Sequence, residues 1–180
     1  MSKDITLRPA TLNDTHAIAT VQVDVWKSAY KGIVPDALID RMSVFDREKG
    51  WTKILSSYAE NGLGACFVAE IDGEIQGFAS CGHQRDPDLE QDYPGEISAI
   101  YVQDAQQRCG IGRRLMKTCF ETMNAMGLQG AALWVLAENQ QARSFYTALG
   151  GELITQRVED QPDGTLSEVA YGWPKRSDLS

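Results

Sequence analysis

No apolar run of about 18 residues occurs, so the sequence encodes no evident membrane span. The N-terminal Met-Ser-Lys-Asp-Ile lacks the apolar core of a signal peptide, which points to a cytoplasmic protein. Paired cysteines are missing too: Cys66, Cys81, Cys109 and Cys119 show no C-x-x-C spacing, and the two histidines do not cluster with them. That spacing predicts no metal site and thiols that stay reduced. Basic residues are in deficit, 17 Lys and Arg against 25 Asp and Glu, for a net charge of −8. Such a balance argues against nucleic-acid binding, which needs a basic surface. It would help attract a cationic amine, and it serves solubility equally well. Repeats, low-complexity tracts and linkers are absent, so residues 1–180 are expected to form one domain.

The stretch Gly95 to Gly127 organises what is present. An apolar strand, Glu96 to Val102, enters a short polar loop with Gln107, Arg108, Gly110 and Gly112. A helix follows at once, with apolar positions at Ile111, Leu115, Cys119 or Phe120, Met123 and Met126. A strand, a glycine-bearing turn and a helix start suit a phosphate group, because the first-turn N–H groups and the helix dipole both favour an anion. The two glycines let backbone approach a ligand closely. The pattern lacks the G-x-x-x-x-G-K-[ST] of a P-loop, and Leu115 stands where G-x-G-x-x-G needs its last glycine.

Before this stretch, Ile5 to Arg8 reads as a strand ended by Pro9, and Thr11 with Asp14 offers a helix start. The first helix carries Ile18, Val21, Val25 and Ala29 on one face, with Trp26 and Tyr30 beside it. Further helical stretches are expected from Pro35-Asp36 and from Ser43. Cys66 to Ile71 and Ile75 to Cys81 read as a hairpin turned at Asp72-Gly73. His83 to Pro94 is a polar loop. After the central helix, Ala131 to Leu136 reads as a buried strand and Asn139 to Leu149 as a short helix stopped by Gly150-Gly151. Glu152 to Val158 and Leu166 to Trp173 form a last hairpin about Pro162-Asp163-Gly164. The expected fold is α/β: a mixed sheet with helices on both faces, its central strands parallel through a right-handed crossover.

Gln107-Arg108-Cys109-Gly110-Ile111-Gly112 resembles Q-x-x-G-x-G, the acyl-CoA pyrophosphate motif of the GNAT superfamily of N-acyltransferases. Asn139-Gln140-Gln141-Ala142-Arg143-Ser144-Phe145-Tyr146-Thr147-Ala148-Leu149-Gly150 is similar to that family's N-x-x-A-x-x-F-Y-x-x-x-G segment, and it lies after the next strand as the family has it. The resemblance covers nearly the whole chain. It implies a sheet of about seven strands in which the strand ending at Val102 and the run Ala131 to Leu136 splay apart. Pantetheine would lie in the opening, bonded to Ile100, Tyr101 and Val102. The pyrophosphate would sit on the amides of Arg108, Cys109, Gly110, Ile111, Gly112 and Arg113, with Asn139 and Tyr146 on the other side.

The implied reaction is transfer of an acetyl group from acetyl-CoA to a primary amine. An alkyl ammonium, with a pKa near ~10, must first lose a proton. Tyr146 is the expected donor to the departing thiolate. Glu96, which looks like the strand glutamate of the histone-acetylating branch, is the candidate base; Glu70, Asp92 or a water chain are alternatives. Backbone N–H groups near Val102 can steady the oxyanion. Asn139 can cap its helix as well as touch the cofactor, Gln107 can shape the loop, and Arg108 and Arg113 can be solvated charges. Cys109 reads as a small filler, since direct transfer needs no thiol nucleophile. Trp26, Tyr30 and His83 mark where the acceptor would lie, although Trp26 and Tyr30 also suit the core.

These expectations describe a GNAT-like enzyme acting on a small-molecule amine in a ternary complex, with neither a metal, a nucleic acid nor a membrane involved. The alternatives are a protein lysine or N-terminal acetyltransferase and a non-catalytic acyl-CoA sensor. Family members often form homodimers, but no stripe here identifies a contact surface.

Overall fold

The structure, a computed structural model, describes residues 4–162 and 164–175. The expected turn residue Asp163 lies outside the described residues. Seven strands form one sheet: β1 (Ile5–Pro9), β2 (Gly64–Ile71), β3 (Glu74–His83), β4 (Gly95–Val102), β5 (Ala131–Leu136), β6 (Glu152–Gln161) and β7 (Gly164–Trp173). Their order is β1-β2-β3-β4-β5-β7-β6, and β4–β5 is the one parallel pair among them.

Helices cover both faces, as the alternation of the strands demands. On one face α4 (Ile111–Ala125) buries Ile111, Leu115, Met116, Cys119 and Met123 against Cys81, Ile97, Leu133 and Val135. The short α5 (Gln140–Ala148) joins the same cluster through Tyr146, while Arg143 ties it to the sheet by donating to the Ala137 carbonyl at 2.8 Å and the Tyr171 hydroxyl at 3.2 Å. On the other face α1 (Thr15–Ala29) and α3 (Val44–Asn61) pack Ile18, Val21, Trp51 and Leu55 onto Val68 and Phe78. The short α2 (Asp36–Asp40) packs Ile39 with Tyr30 and Leu136.

Local signals set these boundaries. Ser43 caps α3 by accepting from the Asp46 N–H at 3.3 Å, and Gly62 ends it in the left-handed conformation. Before α1, Asp14 accepts from the Thr11 N–H at 2.7 Å and from Arg8 at 2.8 and 2.9 Å, which locks that helix onto β1.

Candidate active site

The two parallel strands meet at only two register positions, Gly95 with Ala131 and Glu96 with Ala132. Beyond them β4 carries a bulge: Ala99 faces Ser80 and Ile97 faces Cys81, which leaves Ser98 as the extra residue. A bulge bends its strand and sharpens its twist. It lies just past the last parallel rung, and from there β4 runs beside β3 alone. Ser98 holds it by donating to the Ser80 hydroxyl at 3.0 Å, which also bonds Tyr58 at 2.9 Å.

Backbone directions along the gap follow from the ladders. The Gln103 N–H donates to Gln76 on the β3 side at 2.8 Å. Alternate residues of a strand aim at opposite edges, so Tyr101 bonds toward β3 while Ile100 and Val102 face the gap. By the same count the Ala137 N–H, donating to Ser167 at 2.9 Å, turns Trp134 and Leu136 toward the gap from β5. Tyr101 was expected to offer its backbone there; it offers none, and its hydroxyl accepts instead from the Trp26 indole at 3.1 Å. The Val102 carbonyl accepts from the Gln107 side chain at 3.4 Å, so its N–H is the group left for a ligand.

At the open end the loop turns twice through the left-handed region, at Arg108 (φ 62°) and Gly110 (φ 83°). Such turns aim successive N–H groups to one side, where they join those of the first turn of α4. Gly112 is tight for another reason: a Cβ there would lie 3.0 Å from the Phe145 ring. Gln107 shapes the loop, donating to Asp104 at 3.1 Å and accepting from Gln141. Arg108, Cys109 and Arg113 are exposed, and Ile111 is buried beneath them. A backbone cradle with these features fits an acyl-CoA: extended amides for pantetheine, convergent N–H groups for a diphosphate.

Three phenols gather beside the gap. Tyr146 is buried on α5; burial, then the neighbouring Tyr101, pushes its hydroxyl well above the ordinary phenol range. Tyr30 is shifted the same way, chiefly by burial, with Tyr101 and Tyr146 adding to it. Asn139 lies beside the Tyr30 hydroxyl and caps α5 by accepting from the Ala142 N–H at 3.2 Å. Trp26 and Tyr30 stand edge to face, 4.5 Å between centroids. The expected acceptor residues Trp26 and Tyr30 are therefore brought to Tyr101, Tyr146 and Asn139. His83 is not; it is exposed at the end of β3.

On the face away from α4 a groove of about 800 Å³ runs from the closed end of the gap between the 84–94 loop and β6. Glu96 and Trp134 are among the residues that line it. Sequence reasoning missed the side chains that build it. Arg85 donates to both Glu96 oxygens at 2.8 Å. Arg157 lies 4.0 Å over the Trp134 ring and donates to Glu168 at 2.7 Å, while the Trp134 indole donates to Asp86 at 3.0 Å. These partners are far apart in sequence, so no local pattern announces them. Among the described residues no group of His, Cys, Asp or Glu could hold a metal ion, and no helix is long and apolar enough to cross a membrane.

Known proteins resemble this chain in sequence and in fold. The sequence profile described as "Acetyltransferase (GNAT) family" matches residues 26–150. The uncharacterised N-acetyltransferase YuaI of Bacillus subtilis is 32% identical over 176 residues, 97% of this chain and 96% of that one. A probable N-acetyltransferase of Mycobacterium tuberculosis is 28% identical, covering 79% of this chain and 77% of its own length. Among solved structures, PaiA N-acetyltransferase of Thermoplasma acidophilum in complex with coenzyme A superposes with a TM-score of 0.73 at 18% identity, over 92% of this chain and 98% of that one. YncA of Salmonella typhimurium, a putative acetyltransferase with acetyl-CoA, gives 0.71 at 20% identity, over 96% and 95%. On the profile match and the relative aligned almost end to end, the chain belongs to the GNAT family and is an acetyl-CoA-dependent N-acetyltransferase.

Proposed function

We propose that the chain acts as one catalytic domain that acetylates the primary amine of a small molecule by direct attack in a ternary complex. The observation that carries this reading is the coincidence of the unpaired gap with a groove opening at its closed end. The groove's volume of about 800 Å³ lies in the range of small-ligand sites, roughly 300–1,000 Å³.

Acetyl-CoA supplies an activated acyl group, a thioester carbonyl open to a neutral amine. The N–H groups of Ile100 and Val102 hold the pantetheine arm, and the amides from Arg108 to Arg113 hold the diphosphate. Tyr146, kept protonated by burial, offers its hydroxyl as a hydrogen bond to the departing thiolate. An ordinary thiol has a pKa near ~8.5, so this phenol steadies the thiolate more than it acidifies the site. Glu96 already accepts three bonds from Arg85, and a carboxylate has about four acceptor positions. The remaining one, on Oε1, can take the amine's proton through a groove water.

Purified protein incubated with acetyl-CoA and an amine panel should release thiol and form products heavier by one acetyl group. Transfer confined to protein lysines or N-termini would replace the small-molecule reading. Cofactor binding with no thiol release above background would replace it with a sensor.

A further inference from the structure

The groove contains two guanidinium groups in different states. Arg157 is committed, with Glu168 at 2.7 Å, Asp86 at 3.6 Å and the Trp134 face beneath it. Arg85 is committed along one edge only. Its Nε donates to Glu96 Oε2 and its Nη2 to Oε1, both at 2.8 Å, and its backbone N–H adds a bond to Oε2 at 3.2 Å. Nη1 has no partner among the described residues. The Glu96 side chain is 11% exposed and that of Arg85 74%.

A guanidinium carries two forks, one at Nε and Nη2 and one at Nη1 and Nη2. Glu96 fills the first and so fixes the plane and direction of the second. A buried carboxylate that orients an exposed arginine pre-organises it for another planar anion, because little further rotamer freedom is lost on binding. The groove's acidic groups favour the approach of a ligand whose other end is cationic. Asp86 is engaged by Trp134 and Arg157, whereas Asp88 and Asp92 are exposed at the rim and would draw in an ammonium group.

Resting on the acetyltransferase reading of this groove, we infer that the acceptor is an amino acid, an amine bearing a carboxylate a few bonds away, and that the outer fork of Arg85 receives that carboxylate. Arg85 is then the residue that sets acceptor specificity, and Glu96 positions it.

The test compares common L-amino acids and short ω-amino acids with their carboxamides and their decarboxylated amines. Each is assayed for acetyl transfer by the full chain, and for binding by calorimetry with coenzyme A present. The best amino acid should exceed its carboxamide by about 10- to 100-fold in kcat/KM, mostly through KM, as a charge-assisted pair requires. Arg85→Gln should bring that ratio close to one while leaving coenzyme A affinity unchanged. Arg85→Lys keeps the charge beside Glu96 and loses the planar fork, so it should lose most of the discrimination even if Arg85→Gln disturbs the loop. Wild-type transfer to carboxamides or plain amines as efficient as to amino acids would overturn the inference and leave the acetyltransferase reading standing. Failure to acetylate any amine would overturn that reading and the acceptor role with it, and calorimetry then decides the Arg85 fork alone: amino-acid binding that vanishes in Arg85→Gln supports a carboxylate site there, and absent or unchanged binding overturns it.

Discussion

Glu96 and Ala132 form the last rung between the two parallel strands, and the bulge at Ser98 follows directly. The opening is therefore built into β4 and does not depend on a ligand to force it. Ile100 and Val102 keep their outward amides because β3 has no use for them, and Trp134 and Leu136 face them because β7 takes the other edge of β5.

Replacing Tyr146 with Phe removes one hydroxyl from a ring that otherwise stays packed beside Tyr171 and Trp173. Turnover should fall by about 10²-fold, while coenzyme A affinity measured by calorimetry should change little. Equal loss of both would remove the hydroxyl from the chemistry.

The glycines of the loop act by different means. Gly110 has open space around its missing Cβ but a φ of 83°, so Gly110→Ala should cost about 1–2 kcal/mol through backbone strain alone. Gly112→Val should push the Phe145 ring and carry α5, with Tyr146, away from the gap, at about 1–3 kcal/mol. Thermal denaturation reads the first effect. Coenzyme A affinity and turnover, falling together, read the second.

Alkali should unfold the protein. Burial pushes the Cys66 thiol from 9.0 up to about 12. A group with a raised folded pKa gives its full stability below the unfolded value, and that stability drains as pH rises from 9.0 toward about 12. The slope is up to about 1.4 kcal/mol per pH unit for one such thiol, with the buried phenols adding to it above their ordinary value. Urea melts at rising pH should show the decline, and Cys66→Ala should flatten it.

At the acid end Asp14 has the opposite sign. Its hydrogen bonds from the Arg8 guanidinium, foremost among the causes, hold the carboxyl below the usual 3.8. Its stabilisation is complete above that value and is lost as pH falls through the folded pKa. Asp14→Asn should cost about 1–3 kcal/mol at neutral pH and make the acid limb of the stability curve shallower, which melting temperatures across pH would register.

Much of this fold could be read from the sequence because its signals are local. The hairpin turn Asp72-Gly73, the cap at Ser43 and the apolar run Ala131 to Leu136 each lie where the elements do. The turn into α4 was legible through Gly110 and Gly112, which the fold needs for a left-handed φ and for contact with the Phe145 ring. What stayed hidden depends on pairs brought together by folding. The bulge at Ser98 exists only relative to β3. Arg85 reads as one more charge in a polar loop until β4 brings Glu96 to it, and Trp26, a candidate for both the acceptor side and the core, gives no sign in sequence of its bond to the Tyr101 hydroxyl. Tyr101 itself shows the limit of a motif: it lies between two gap-facing residues, and a strand's alternation turns it the other way.

The proposed chemistry depends above all on β4 and β5 receiving the arm of coenzyme A between them. A crystal structure of the complex tests it most directly. The arm should bond to the Ile100 and Val102 N–H groups, with the diphosphate against residues 108–113 and the thiol near Tyr146. Ligand bound elsewhere, with β4 and β5 hydrogen-bonded along their whole length, would contradict it.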